Sequence, residues 1–61
     1  MEAKEYARIA DLLRQISGKI DKNMKPTTPA GASAVNVLDK RIDDVVRALD
    51  HCAWLEERGY L

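Results

Sequence analysis

Two stretches of the chain place apolar residues at alternating steps of three and four. In "EAKEYARIADLLRQISGKIDKNM", Tyr6, Ile9, Leu13, Ile16 and Ile20 step by 3, 4, 3 and 4. In "SAVNVLDKRIDDVVRALDHCAWLEER", Val35, Leu38, Ile42, Val45, Leu49 and Cys52 step by 3, 4, 3, 4 and 3. On a helix of about 3.6 residues per turn each series lines one stripe, the a and d positions of a heptad. Between them "KPTTPAGAS", residues 25–33, carries two prolines, three hydroxyls and one charge, and so reads as a bend. The pattern predicts an all-α fold: an antiparallel helical hairpin with a helix over 3–24, a bend over 25–33 and a helix over 34–58, one domain spanning 1–61.

The ends of the helices are written in local chemistry. Pro26 biases Lys25 away from helix, so the first helix should stop near Asn23 or Met24. The second helix has two possible starts: Ser33 as its cap, or Thr28 as its cap with Pro29 as first helical residue. Gly31 in a first turn is a poor helix former, which favours Ser33. At the other end Gly59 suits a left-handed cap that brings Tyr60 back to Leu55. Gly18 costs roughly 1 kcal/mol inside a helix, yet the heptad step continues through it to Ile20.

With Tyr6 and Val35 set as a positions, the flanking e and g positions include Ala3, Ala10, Leu12, Val46, Ala48, Ala53 and Leu55. A two-helix seam would carry charges there. The apolar stripe is too wide for one neighbour, so each hairpin is expected to share it with another copy, most simply as a dimeric four-helix bundle, or a higher oligomer. Ile9, Leu12, Leu13, Ile16, Leu38, Ile42, Val45, Val46, Leu49 and Leu55 are the expected interface. Burying even four Leu- or Val-sized side chains would contribute roughly 6–12 kcal/mol before entropy is subtracted.

Size sharpens that expectation. A chain of 61 residues with a single Cys cannot add an internal disulfide to a small core, and a partner subunit is the remaining common staple. One cysteine and no signal-peptide core fit a reducing, cytoplasmic setting. No apolar run approaches the roughly 18 residues of a membrane span. Ten basic and ten acidic residues leave no net charge, which argues against a dedicated non-specific DNA binder.

Catalytic and metal chemistry find little to stand on. His51 is the only imidazole, and its helical neighbours Arg47, Ala48, Trp54 and Leu55 offer no second ligand. Cys52 lies on the d stripe as a small core residue, where apolar surroundings would raise its pKa. "SGK" at 17–19 lacks the glycine-rich loop and preceding strand of a phosphate-binding loop. Asp39, Asp43 and Asp44 share a helix with Lys40, Arg41 and Arg47, as a solvated ion-pair face does. No enzyme, cofactor or metal is expected.

Two places invite binding. At the bend Lys22 and Lys25 lead into Thr27, Thr28 and Ser33, where the free amides of a helix N-terminus favour phosphate or another anion. The same lysines also offset the dipole of the first helix, and the hydroxyls also cap the second. At the open end lie Tyr6, Arg8, Trp54 and Arg58. Trp54 sits at an f position, off the seam, as an interface anchor or a platform for a base, or as packing under Arg58. In an antiparallel dimer the bend of one copy would approach the open end of the other, a composite suited to a nucleotide.

At the level of architecture alone, two heptad helices joined by "KPTTPAGAS" resemble the Rop-type plasmid regulators, dimers of helical hairpins that bind RNA loop pairs. They are also similar to the small helical phage proteins that sequester cyclic-nucleotide immune signals. Neither resemblance rests on a motif residue, so neither carries a functional residue over. The first helical half holds six basic and four acidic residues and the second four and six, so no basic face for RNA is apparent. The first expectation is a non-enzymatic oligomeric interaction protein, a regulator or inhibitor of a host protein of phage or mobile-element type. Sequestration of a nucleotide or other phosphorylated small molecule at the subunit interface is the alternative, and Rop-like RNA binding the third.

Overall fold

The computed structural model describes residues 1–61 as two helices, α1 (Ala3–Asn23) and α2 (Pro29–Glu57), packed against each other as a hairpin without any strand. The predicted hairpin is therefore present, and helix α1 runs unbroken through Gly18. It ends as the Lys25-Pro26 step requires. Met24 turns extended, its N–H donates to the Ile20 carbonyl, and Asn23 Nδ2 donates to the Lys19 carbonyl at 2.8 Å. The C-terminus of α2 is closed by Gly59 at φ +72. Tyr60 N–H donates to Leu55 O and Gly59 N–H to Glu56 O, the two bonds of a Schellman cap.

The start of α2 differs from the expectation. Thr28, not Ser33, is the cap: its Oγ1 accepts from Gly31 N at 3.0 Å, with Pro29 opening the helix. The preset φ of Pro29 and the threonine cap together outweigh the modest cost of a first-turn glycine. Gly31 also has a packing role. A Cβ there would stand 3.1 Å from Thr28 Oγ1 and 3.3 Å from Pro26 Cβ. The connection thus shrinks to Met24–Thr28, and residues 29–33 are the first turns of α2. Helix α2, with 29 residues, outruns α1, with 21, and the connection lies back along the overhang.

The seam between the helices is also displaced from the expected one. The residues at least partly withdrawn from solvent along α1 are Ala3, Tyr6, Ala10, Leu13, Ser17 and Ile20. Along α2 they include Ala32, Val35, Asp39, Ile42, Val46, Leu49, Ala53 and Glu56. Both series keep heptad spacing but occupy a and e rather than a and d. Small e residues, Ala3, Ala10 and Ser17 against Ala32 and Ala53, let the two backbones come close, where Ile9 and Ile16 would hold them apart. The only fully buried residues are Ala10 and, at 4% exposure, Val46.

That core leaves the molecule thin and elongated. Its Cα extents are 47 × 16 × 11 Å and its radius of gyration is 14.3 Å, against about 10.5 Å for a compact domain of this length. It exposes 4799 Å², whereas a compact monomer of 6.9 kDa would expose about 4,000 Å². The excess, about 800 Å², equals each partner's share of a standard protein–protein interface.

Candidate functional site

The hairpin is a slab, and its two broad faces follow from helix phase. In an antiparallel pair, positions of the same heptad letter on the two helices fall on the same side of the slab. The b positions demonstrate this: Arg14 of α1 reaches Asp50 of α2, with Nη2 to Oδ2 at 2.6 Å, while its Nη1 holds Asp11 at 2.9 Å. The d positions, on the other flank of the seam, therefore share the opposite face.

That second face is aliphatic. Ile9 and Ile16 from α1 and Leu38 and Val45 from α2 occupy d positions, with Leu12 beside them at g, and all five are between 38% and 52% exposed. Leu13, Ile42, Leu49 and Leu55 are half-buried beneath or beside them. Of the ten residues expected at a subunit interface, five are thus open to solvent, Leu13, Ile42 and Leu49 are shared with the hairpin seam, and Leu55 is half-buried at a g position. Val46 is used up inside the hairpin, because its e position lies on the seam itself; it is not free to meet a second copy. The face continues at the bend into an open notch of about 350 Å³ lined by Met24, Lys25, Pro26, Gly31, Ala34, Val35 and Leu38.

The b face is polar. Besides the Arg14 fork it carries Asp43, paired with Arg47 at 3.1 Å along α2. On the same side of the seam Asp39 faces Asp21 across the helices. Asp39 Oδ1 is buried without a donor, since what stands opposite is another carboxyl. A protonated Asp39 can donate to the Asp21 carboxylate, and this bond, together with desolvation and the neighbouring negative charge, raises the Asp39 pKa above its ordinary value.

The expected binding residues are not brought together within one chain. Lys22, Lys25, Thr27, Thr28 and Ser33 lie exposed around the connection, while Tyr6, Arg8, Trp54 and Arg58 lie toward the other end of the 47 Å slab. The amides at the start of α2 are largely spoken for. Gly31 N–H goes to Thr28 Oγ1 and Ala32 N–H to Thr28 O, leaving Ala30 as the one unpaired amide of a turn that begins with proline. Ser33, inside the helix, caps nothing. The open-end cluster divides as well. Tyr6 sits in the seam, where partial burial, then Glu56, Cys52 and Glu5, raise its phenol pKa. Arg8 lies on the outer surface of α1, in a shallow depression with Lys4 and Asp11.

Trp54 is the centre of a cluster that sequence spacing only half revealed. The Arg58 guanidinium stands 4.0 Å over its ring, His51 stacks at 6.0 Å with the rings 11° from parallel, and Tyr60 tilts in at 6.3 Å. The helical steps from His51 to Trp54 and from Trp54 to Arg58 made two of these contacts legible. Tyr60 arrives only because the Gly59 cap turns the chain back. No three His, Cys, Asp or Glu side chains converge to hold a metal, and no helix is long and apolar enough to cross a membrane.

These surfaces define a small helical hairpin with one aliphatic and one charged broad face. No family model, curated protein or solved structure matches the chain.

Proposed function

We propose that this is a non-enzymatic interaction protein: an oligomer of helical hairpins, in its simplest form a dimeric four-helix bundle. It acts by occupying the surface of a partner protein, as a small regulator or inhibitor of phage or mobile-element type. The observation that carries this reading is the aliphatic d/g face of Ile9, Leu12, Ile16, Leu38 and Val45, exposed on a chain with about 800 Å² of surface beyond a compact monomer's. Left in water, such a stripe adds nothing to the stability of an isolated hairpin; covered, it would contribute.

The Trp54 cluster gives the partner-protein part its anchor. A tryptophan stiffened by a cation on its ring, on the side of α2 away from the aliphatic face, has the chemistry of an interface hot spot. The sequestration reading draws less support. Its phosphate end has one free amide, its ring is already covered by Arg58, and Trp54 points away from the face that another copy would approach. The RNA reading draws least, because neither broad face is basic.

Sedimentation across a concentration series tests the first half: a dimer or larger species at low micromolar concentration is expected, and a stably folded monomer would defeat it. The second half is tested by capture. A specific partner should be lost with Trp54→Ala and kept with Lys22→Ala/Lys25→Ala. A rise of several degrees in Tm with one nucleotide from a panel would instead favour sequestration.

A further inference from the structure

Three successive g positions of α1 carry Glu5, Leu12 and Lys19, and the d positions Ile9 and Ile16 lie between them. About Leu12 this row is symmetric in hydrophobicity and opposite in charge: acid seven residues before, base seven residues after. A two-fold interface must be self-complementary, and this row complements itself only when reversed.

We propose that the occupant of the aliphatic face is a second copy of this chain, laid face to face and antiparallel, with the two-fold axis passing by Leu12. This rests on the oligomeric reading above and assigns its geometry. Helix α1 then crosses its mate with Leu12 on Leu12, Ile9 beside the mate's Ile16, and Lys19 of each copy beside Glu5 of the other. On α2 the same axis falls near Ala48, which places Val45 next to the mate's Cys52. The opposite orientation, bend on bend, sets each α1 over the mate's α2 and brings Lys19 against Arg41, like charge on like. About this off-centre axis roughly 34 Å of the slab's 47 Å length overlaps the mate across its 16 Å width, a contact toward the small end of specific interfaces. The charged b face, its Arg14 already committed to Asp11 and Asp50, stays outward.

Orientation is read from distance. A spin label at Thr27→Cys in a Cys52→Ala background, checked by sedimentation to be dimeric, should report a mate about 60 Å away. About twenty residues of helix separate the label from the axis on each side, at about 1.5 Å per residue. A label distance under about 25 Å in a dimer, the spacing of two stacked helix layers, would overturn the antiparallel geometry while leaving oligomerisation standing. Monomeric sedimentation of the unmodified chain would overturn both. Charge supplies an independent test. Lys19→Glu and Glu5→Lys should each weaken the dimer roughly tenfold and the double variant should recover most of that loss. Singles without effect, or a double variant no tighter than the singles, would refute the Lys19–Glu5 pairing.

Discussion

The two broad faces of the slab are built from the same helices and differ by the near half-turn that separates b from d. On one, Arg14 ties α1 to α2 through Asp50, and nearly every side chain is at home in water. On the other, five large aliphatics stay 38–52% exposed. The charged face tells how the hairpin is held in register; the aliphatic face is what the proposed second copy would cover. The a/e seam with Ala10 and Val46 makes the hairpin, while the d/g flank stays largely exposed.

The largest effect expected from breaking this contrast is on the aliphatic face. Leu12→Glu places two carboxylates at the centre of the proposed interface and should weaken association at least about a hundredfold, seen as a shift to monomer in sedimentation and a fall in Tm. Next comes the seam. Val46→Ala removes two buried carbons and opens a void, which should cost about 2 kcal/mol in denaturant unfolding. An unchanged midpoint would mean that the seam is elsewhere.

The two helical glycines sharpen the comparison at about 1 kcal/mol and with opposite signs. Around Gly18 a Cβ meets nothing within 4 Å, so Gly18→Ala should stabilise. At Gly31 the same methyl presses on the cap oxygen of Thr28 and on Pro26, so Gly31→Ala should destabilise despite the better helix former. Equal signs would show that the connection does not lie back along α2. On the charged face the coupling between Arg14 and Asp50 in a double-mutant cycle should reach about 0.5–1 kcal/mol, since both side chains are half exposed.

The smallest expected effect concerns protons. Because the Asp39 pKa is raised in the folded chain, the stabilisation from the proton it shares with Asp21 is present at low pH and lost as pH rises through that raised value. Asp39→Asn should therefore raise Tm at neutral pH, and its advantage over the parent should shrink on acidification. A variant less stable than the parent at pH 7 would show that the carboxyl is favourable there.

Much of this was legible before any coordinates. The Lys25-Pro26 step stops α1, Gly59 closes α2, and the His51–Trp54–Arg58 spacing announces the aromatic cluster. The start of α2 was missed because propensity at Gly31 was weighed without the contact that requires glycine, which joins residues three and five apart through a fold in the chain. The seam was missed by one heptad letter. Hydrophobicity alone marks a and d, whereas close packing selects a and e for their small side chains, and the signal that could have found it was the run Ala3, Ala10, Ser17 with the facing Ala53.

The sequence by itself determined two amphipathic helices, the end of α1, the glycine cap that closes α2 and an apolar stripe wider than one seam, because periodicity and capping act within a few residues. Only the tertiary structure decided which edge of that stripe each helix spends on the other and which it leaves in water. That choice depends on how near two backbones can come, and small side chains made the near approach.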